Sequence, residues 1–133
     1  MEERYFGPNP LVKVRTEVDI ENVSEDTAGL FVFELNDEKL SAIARHLPKV
    51  RHIVADGNTG GVTDAGLLHL ERFSGLESLD LEWSNVTDAG LPVVAAVQRL
   101  RWVDFSCCIG ITEQGASELR RIRPDLEAVF TWS

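Results

Sequence analysis

A six-residue string that occurs twice constrains the fold of this chain more than any other feature. Val-Thr-Asp-Ala-Gly-Leu occupies residues 62–67 and recurs unchanged at 86–91, and a looser copy, Ile-Thr-Glu-Gln-Gly-Ala, occupies 111–116. Successive copies begin 24 and 25 residues apart. Self-similarity at a fixed period of this length is typical of proteins that stack one supersecondary unit on the next. The sequence therefore predicts a stack of similar units.

Short apolar patterns lie between the copies and predict the strands of these units. Each has the form apolar-x-x-apolar-x-apolar, beginning at Val50, Leu76, Leu100 and Leu126. Between them the apolar residues switch to helical spacing, and Thr63, Thr87, Thr112 and Asn36 suit the helix N-cap. The predicted parallel strands lie near 52–55, 78–81, 102–105 and 128–131. The predicted helices lie near 37–47, 64–73, 88–98 and 113–122.

The strand patterns also carry a family resemblance. Asn58, Ser84 and Cys108 follow the last apolar residue by three positions, where the leucine-rich-repeat consensus places Asn or Cys. Over about residues 35–133 the chain resembles the bacterial V-T-D-A-G-L class of leucine-rich repeats, which is similar to the cysteine-containing and ribonuclease-inhibitor-like subfamilies. The resemblance implies an α/β fold, a short right-handed β-α solenoid of three to four repeats with a parallel sheet. It implies an architecture rather than a reaction.

The N-terminal residues follow a different pattern. Apolar or β-branched side chains alternate with charged ones over residues 11–20, which predicts a half-buried strand. A polar turn at 22–29 and the apolar stretch 30–33 follow. Because a solenoid must shield its first repeat from water, we expect residues 1–34 to form an N-terminal β cap on repeats at 35–133, within a single domain. An independent binding arm is the alternative interpretation of residues 1–34.

The charge balance and the cysteines restrict the partners and the location. The formal net charge of −9 makes nucleic acid a poor partner, because its phosphates would be repelled. No apolar run is long enough for a bilayer span, and the N-terminus lacks the apolar stretch of a signal peptide. Cys107 and Cys108 are adjacent, so a disulfide between them would be strained. We therefore expect reduced thiols, a cytoplasmic location and no membrane partner.

Alternate residues of each strand are expected to face solvent on the concave side of the sheet. Aligning the four apolar patterns places Ala128 beside Trp102 and Phe130 beside Asp104. Carboxylates then gather in the middle of the face, and aromatic residues gather towards its C-terminal end. The predicted partner-binding residues are His52, Val54, Asp56, Asp80, Glu82, Trp102, Asp104, Phe130 and Trp132.

This face predicts a non-catalytic protein–protein interaction module whose partner carries a basic surface. The alternatives are carboxylates that are merely solvated, a Ca²⁺ or Mg²⁺ site, and a structural subunit of a fixed assembly. A metal-dependent enzyme is a further alternative. No nucleotide-binding, hydrolase or metal-ligand motif occurs, so we expect no cofactor, no catalytic residue and no bound metal.

The end of the sequence suggests self-association. The last predicted strand extends to Trp132 and lacks the Lys, Pro or bulge that usually blunts a sheet edge. Phe130 and Trp132 would also expose apolar rings on it. We therefore expect a homodimer through the C-terminal edge strand, unless the N-terminal arm or Trp132 itself covers that edge.

Overall fold

A computed structural model describes residues 10–56 and 61–131 of the chain. Its six strands form one sheet in which every neighbouring pair is parallel and the spatial order is the sequence order, β1 to β6. The strands are β1 Val12–Val14, β2 Gly29–Phe33, β3 His52–Asp56, β4 Ser78–Asp80, β5 Trp102–Asp104 and β6 Glu127–Val129. The helices are α1 Glu17–Glu21, α2 Asp37–His46, α3 Leu91–Ala95 and α4 Glu113–Ile122, with 3₁₀ helices at Gly66–Arg72 and Asp88–Gly90. The predicted α/β class with a parallel sheet is confirmed.

The hydrophobic core lies between the strands and the helical segments. It combines strand residues such as Ile53, Leu79 and Val103 with helix residues such as Ile43 and Leu67, all with at most 1% of their surface exposed. Burying apolar surface of this kind contributes about 25 cal/mol per Å², which makes it the main force holding the helices against the sheet. Among the described residues, no helix has the length and apolar composition that a membrane crossing requires.

The two central helical segments are tighter and shorter than predicted. The helix expected over 64–73 is a 3₁₀ helix at Gly66–Arg72, and the one expected over 88–98 divides into Asp88–Gly90 and α3. Pro92 stands in the first turn of α3, where its missing N–H costs no helical hydrogen bond. In contrast, α2 and α4 follow their predicted ranges closely.

The strand predicted over residues 11–20 is wrong beyond Val14. Thr16 accepts a hydrogen bond from the backbone N–H of Asp19, and the Asp19 carboxylate accepts one from the N–H of Thr16, so α1 begins here with a capping box. These bonds satisfy locally the backbone groups that a strand would have paired with a neighbour. Val18, which the alternation counted as buried, is 64% exposed. The short β1 and β2 continue the same sheet, with Val12 beside Leu30.

The predicted alignment of the last strand is wrong by one residue. Trp102 pairs with Glu127, not with Ala128, and Asp104 pairs with Val129. A slip of one residue moves every side chain to the other face of a sheet. Phe130 therefore packs against the hydrophobic core, where its ring stacks on Phe105 with 5.3 Å between centroids. The dimer through this edge stays a prediction.

The repeated string has a structural explanation in a series of hydrogen bonds that we call the Thr–Asp ladder. Each Asp accepts two bonds from the Thr that precedes the next helical segment, one from its backbone N–H at 2.8–2.9 Å and one from its hydroxyl at 2.5–2.6 Å. The three pairs are Asp37 with Thr63, Asp64 with Thr87, and Asp88 with Thr112. The ladder thereby ties successive helical segments together at their N-terminal ends.

The glycine of the string lies directly against this ladder. A Cβ atom on Gly66, Gly90 or Gly115 would come within 2.0–2.4 Å of a carboxylate oxygen of the preceding ladder Asp. Real Cβ contacts are not that short, so the carboxylate would have to leave its position. The glycine thus provides the space that the Thr–Asp ladder needs.

Candidate functional site

The strands carry a second face whose side chains lie outside the hydrophobic core, and we call it the outer face. Parallel pairing arranges its residues in rows across the sheet, because paired Cα positions share a face. One row contains His52, Ser78 and Trp102, and the next pairs Asp80 with Asp104. On β3, the second row continues with Val54. Two residues beyond the second row, at the carboxyl ends of the strands, lie Asp56, Glu82 and Ser106.

Most of the outer face is buried, although the strand pattern predicted solvent-facing side chains. His52, Val54, Asp80, Glu82 and Asp104 are all buried. Only Trp102 and Asp56 among the predicted site residues of β3 to β5 are half-buried. Neighbouring rows explain part of this burial, since strands about 4.8 Å apart bring side chains into contact. His52 Nδ1 and Ser78 Oγ, for example, share a hydrogen bond of 2.8 Å.

Three acidic residues converge in the middle of the outer face, and we call Asp80, Glu82 and Asp104 the carboxylate cluster. One carboxylate oxygen of each lies within 4.8 Å of the other two. Asp80 and Asp104 are each 1% exposed, and Glu82 is 8% exposed. The prediction that these carboxylates lie close together is therefore correct. The prediction that they are open to solvent is wrong.

Backbone N–H groups hold two of these carboxylates in place. Asp80 accepts bonds of 3.3 Å from the N–H groups of Ala55, on the neighbouring strand, and of Glu82. Asp104 accepts a bond of 2.8 Å from the N–H of Ser106, two residues later. The same i to i+2 bond thus fixes both aspartates where their strands end, which is a turn that Asp favours.

The electrostatics of the carboxylate cluster favour a proton or a cation. Burial, together with the charges of Glu82 and Asp104, raises the pKa of Asp80 from 3.8 to about 7, although the two backbone N–H bonds oppose this rise. Burial also lowers the pKa of His52, so this imidazole stays neutral near pH 7. The neutral imidazole adds no positive charge to the outer face.

The three carboxylates of the cluster can contribute ligands to a metal ion or accept hydrogen bonds from a cationic group. Ca²⁺ takes six to eight oxygen ligands, and Mg²⁺ takes six in an octahedron. Three carboxylates supply part of either set. The ammonium group of Lys donates three hydrogen bonds and the guanidinium group of Arg donates five, and three carboxylates can accept these.

The remaining predicted site residues lie elsewhere. Phe130 is on the core side of the sheet, and Trp132 lies outside the described residues. On the outer face, β6 instead contributes Glu127, which is exposed, and Val129, which is half-buried.

The two cysteines differ in their surroundings. Cys108 is buried, contacts Ser84 Oγ at 3.2 Å and donates a hydrogen bond to the carbonyl of Leu81 at 3.0 Å. Burial raises the pKa of this thiol, so it remains protonated and unreactive. Cys107 is half-buried, and neither cysteine forms a disulfide.

Trp83, which directly follows Glu82, is not among the binding residues that the sequence predicted. Its side chain is 55% exposed and its backbone has a positive φ of 64°. Glu34 and Cys107 have similar φ values of 54° and 62°, and the N–H of each of the three residues bonds to a carbonyl of the next strand segment. The sequence did contain a signal for this residue, since an aromatic side chain directly follows an acidic position of the strand pattern.

The chain matches no model of a known protein family and no curated protein. The chemistry of the outer face consequently has to follow from its own charge, burial and geometry.

Proposed function

We propose that this chain is a non-catalytic protein-binding module of the leucine-rich-repeat type, which binds a partner with a basic surface on its outer face. The carboxylate cluster is the observation that carries the proposal. Two of its three members are 1% exposed, and its oxygens lie within 4.8 Å of one another. Buried like charges at such distances are unfavourable unless a proton or a cation joins them.

The order of the elements supports the architectural part of the proposal. Helical segments alternate with parallel strands that follow one another in sequence order. The V-T-D-A-G-L strings lie where helical segments begin, and the Thr–Asp ladder connects them. We propose that this arrangement is a short right-handed solenoid of three to four repeats, in which residues 1–34 act as an N-terminal cap.

The electrostatic part of the proposal rests on what a cation changes. Two unit charges about 4 Å apart interact by roughly 4 kcal/mol at an effective dielectric constant near 20. A lysine or arginine of a partner would therefore offset the mutual repulsion of Asp80, Glu82 and Asp104. Binding would also lower the pKa of Asp80 and release a proton, so the affinity should rise as the pH increases through 7.

The accessible part of the face offers the remaining contacts. Trp102 and Asp56 are half-buried, and Glu127, beside Trp102, is exposed. Aromatic residues beside a group of like charges are typical of protein interfaces. The aromatic ring provides contact area, and the charges orient the partner and speed its association. The buried carboxylates thus supply the field and the half-buried residues supply the contact.

The test is a partner search followed by a matched comparison. The intact chain is used for affinity purification from its native host, and the captured protein is titrated into the chain by calorimetry. Asp80→Asn combined with Asp104→Asn preserves side-chain size and removes two negative charges. We expect at least about a tenfold loss of affinity, which corresponds to 1.4 kcal/mol.

The control variant is Glu21→Gln combined with Glu25→Gln, which removes two charges from exposed positions outside the outer face. It should keep the wild-type affinity. Equal affinities for the wild type and the Asp80/Asp104 variant would reject the binding face. A melting temperature that rises on addition of Ca²⁺ or Mg²⁺, and not in the Asp80/Asp104 variant, would instead favour a cation site. A chain that captures only its own copies would favour a structural subunit.

A further inference from the structure

We infer that the outer face is the docking site of the chain's own N-terminal segment, residues 1–9. In this arrangement Arg4 reaches the carboxylate cluster, while Tyr5 and Phe6 cover the apolar residues beside it. The segment precedes the described part of the chain and forms the first part of the proposed N-terminal cap. The contact lies within one chain, so it does not depend on a partner protein.

Two apolar residues of the outer face are buried although they lie outside the hydrophobic core. Phe31 on β2 and Val54 on β3 are paired neighbours with 6% and 3% of their surface exposed, and neither belongs to the core. The helices α1 to α4 pack into that core, on the opposite side of the sheet, through Ile20, Leu40, Leu91 and Leu119. An all-parallel sheet is normally covered on both faces. The outer face therefore needs a cover other than these four helices.

The outer face changes from apolar to acidic in the same order in which the segment changes from aromatic to basic. The second row begins at Lys13 on β1, is apolar on β2 and β3, and is acidic on β4 and β5. Followed back from β1, the chain has Phe6 and Tyr5 first and then Arg4. A segment that crosses the sheet from β1 therefore places its rings over the apolar strands and its guanidinium group over the acidic ones.

The segment is long enough for this crossing. Lys13 of β1 and Asp80 of β4 lie three strands apart, which is about 14 Å at the usual strand spacing of about 4.8 Å. The nine residues from Arg4 to Lys13 span at most about 30 Å when extended. The excess length allows the backbone to pass above the sheet with its side chains directed onto it.

The charge of Arg4 complements the carboxylate cluster. The raised pKa of Asp80 favours a proton on this residue, so one guanidinium group can serve the other two members, Glu82 and Asp104. Guanidinium carries five N–H donors in one plane and keeps its charge inside proteins. A paired cation offsets the cost of burying like charges, and a covering backbone excludes water. Cover and charge together account for the 1% exposure of Asp104 on a face outside the core.

The test detects contacts between the segment and the outer face in the full, isotopically labelled chain. We expect nuclear Overhauser effects between the methyl groups of Val54 and the rings of Tyr5 and Phe6. They should persist on dilution and should not occur between labelled and unlabelled copies in a mixed sample. Absence of these effects overturns the docking, and effects found only between copies overturn it as a contact within one chain.

Variants on both sides of the contact test its electrostatic part. Arg4→Gln should weaken the Overhauser effects at Val54, whereas Arg45→Gln, at an exposed position of α2, should leave them unchanged. Asp80→Asn with Asp104→Asn leaves the segment itself intact and should speed chymotrypsin cleavage after Tyr5 and Phe6 by about fivefold or more, because cleavage follows the undocked population. The Glu21→Gln and Glu25→Gln variant should be cleaved at the wild-type rate. Wild-type behaviour of both test variants overturns the role of Arg4.

Failure of this docking and failure of the proposed function give different results. Overhauser effects at Val54 in a chain that binds no basic partner confirm the docking and reject the partner. A partner whose affinity depends on Asp80 and Asp104, in a chain that lacks these effects, preserves the binding face and overturns the docking. If both hold, the segment and the partner compete for the outer face, and Arg4→Gln should raise the affinity for the partner.

Discussion

The Thr–Asp ladder and the carboxylate cluster use the same functional group in opposite ways. In the ladder, each carboxylate accepts a backbone N–H and a hydroxyl hydrogen from one threonine of the next helical segment. In the cluster, Asp80 accepts two long backbone N–H bonds of 3.3 Å from described residues and lies within 4.8 Å of two other carboxylates. The ladder carboxylates each accept a hydroxyl hydrogen as well as a backbone N–H, whereas the donors described for Asp80 and Asp104 are backbone N–H groups.

The difference lies in whether the fold supplies a hydrogen-bond donor to each carboxylate from a neighbouring side chain. A ladder carboxylate is stabilised by its own fold, because its donors are part of the neighbouring segment. The cluster instead places buried acidic groups together, which costs stability unless a proton or a cation joins them. The contrast predicts that neutralising an aspartate changes the free energy of unfolding in opposite directions in the two regions.

The pH dependence of stability should differ most between the wild type and Asp80→Asn. The raised pKa of Asp80 means that the folded chain holds an extra proton between about pH 4 and pH 7. This proton stabilises the folded chain fully at low pH, and the stabilisation is lost as the pH rises through 7. For a pKa raised from 3.8 to about 7, the loss in free energy of unfolding is up to roughly 4 kcal/mol. Urea unfolding at a series of pH values should show this loss in the wild type and not in Asp80→Asn. Parallel curves for the two proteins would contradict a raised pKa of Asp80 in the folded chain.

Gly90→Ala should destabilise the chain by about 3 kcal/mol, as overpacking of a tight site does. The new Cβ would lie 2.4 Å from Asp64 Oδ1 and 2.7 Å from a methyl carbon of Leu67. Thermal unfolding measures the loss, and Ala89→Ser, at an exposed neighbouring position, is the matched control. A melting temperature for Gly90→Ala close to that of the control would mean that the ladder accommodates a Cβ atom at this position, which would contradict the prediction.

Asp64→Asn should destabilise the chain by about 1–2 kcal/mol at pH 8, the opposite direction from Asp80→Asn at the same pH. The amide retains one acceptor oxygen, so one of the two bonds from Thr87 is lost and a polar group stays unsatisfied. Chemical unfolding of both variants side by side provides the comparison. If both substitutions changed stability in the same direction, the distinction between ladder and cluster would not hold.

Thr112→Ala should have the smallest effect, about 1 kcal/mol. Thr112 caps α4 and donates its hydroxyl hydrogen to Asp88, but this rung of the ladder is exposed to water. Thr112→Ser retains both bonds and should remain near the wild-type stability. Hydrogen exchange of the Gly115 amide, which bonds to Thr112 Oγ1, reports the loss of the cap directly. An unchanged exchange rate in Thr112→Ala would exclude this role.

The sequence by itself determined the features that depend on local signals. Thr112 and Asn36 were recognisable as helix caps because the bond that each makes spans three residues. The parallel α/β class followed from strand patterns separated by helical spacing. The grouping of Asp80 with Asp104 followed as well, since two equivalent strand positions become neighbours once the strands pair. The capping box of α1 was also a local signal, and the stronger alternation of residues 11–20 concealed it.

Tertiary structure alone decided the features that depend on distant contacts. The register of β6 was settled by the fit of Phe130 against Phe105, which the apolar spacing near Leu126 could not reveal. The burial of Asp80 and Asp104 depends on what packs around them, and therefore so does the raised pKa of Asp80. The exposure of Trp83 depends on a positive φ that a bond to Ser106 fixes. A strand pattern specifies which residues share a face, whereas solvent exposure is a property of everything that covers that face.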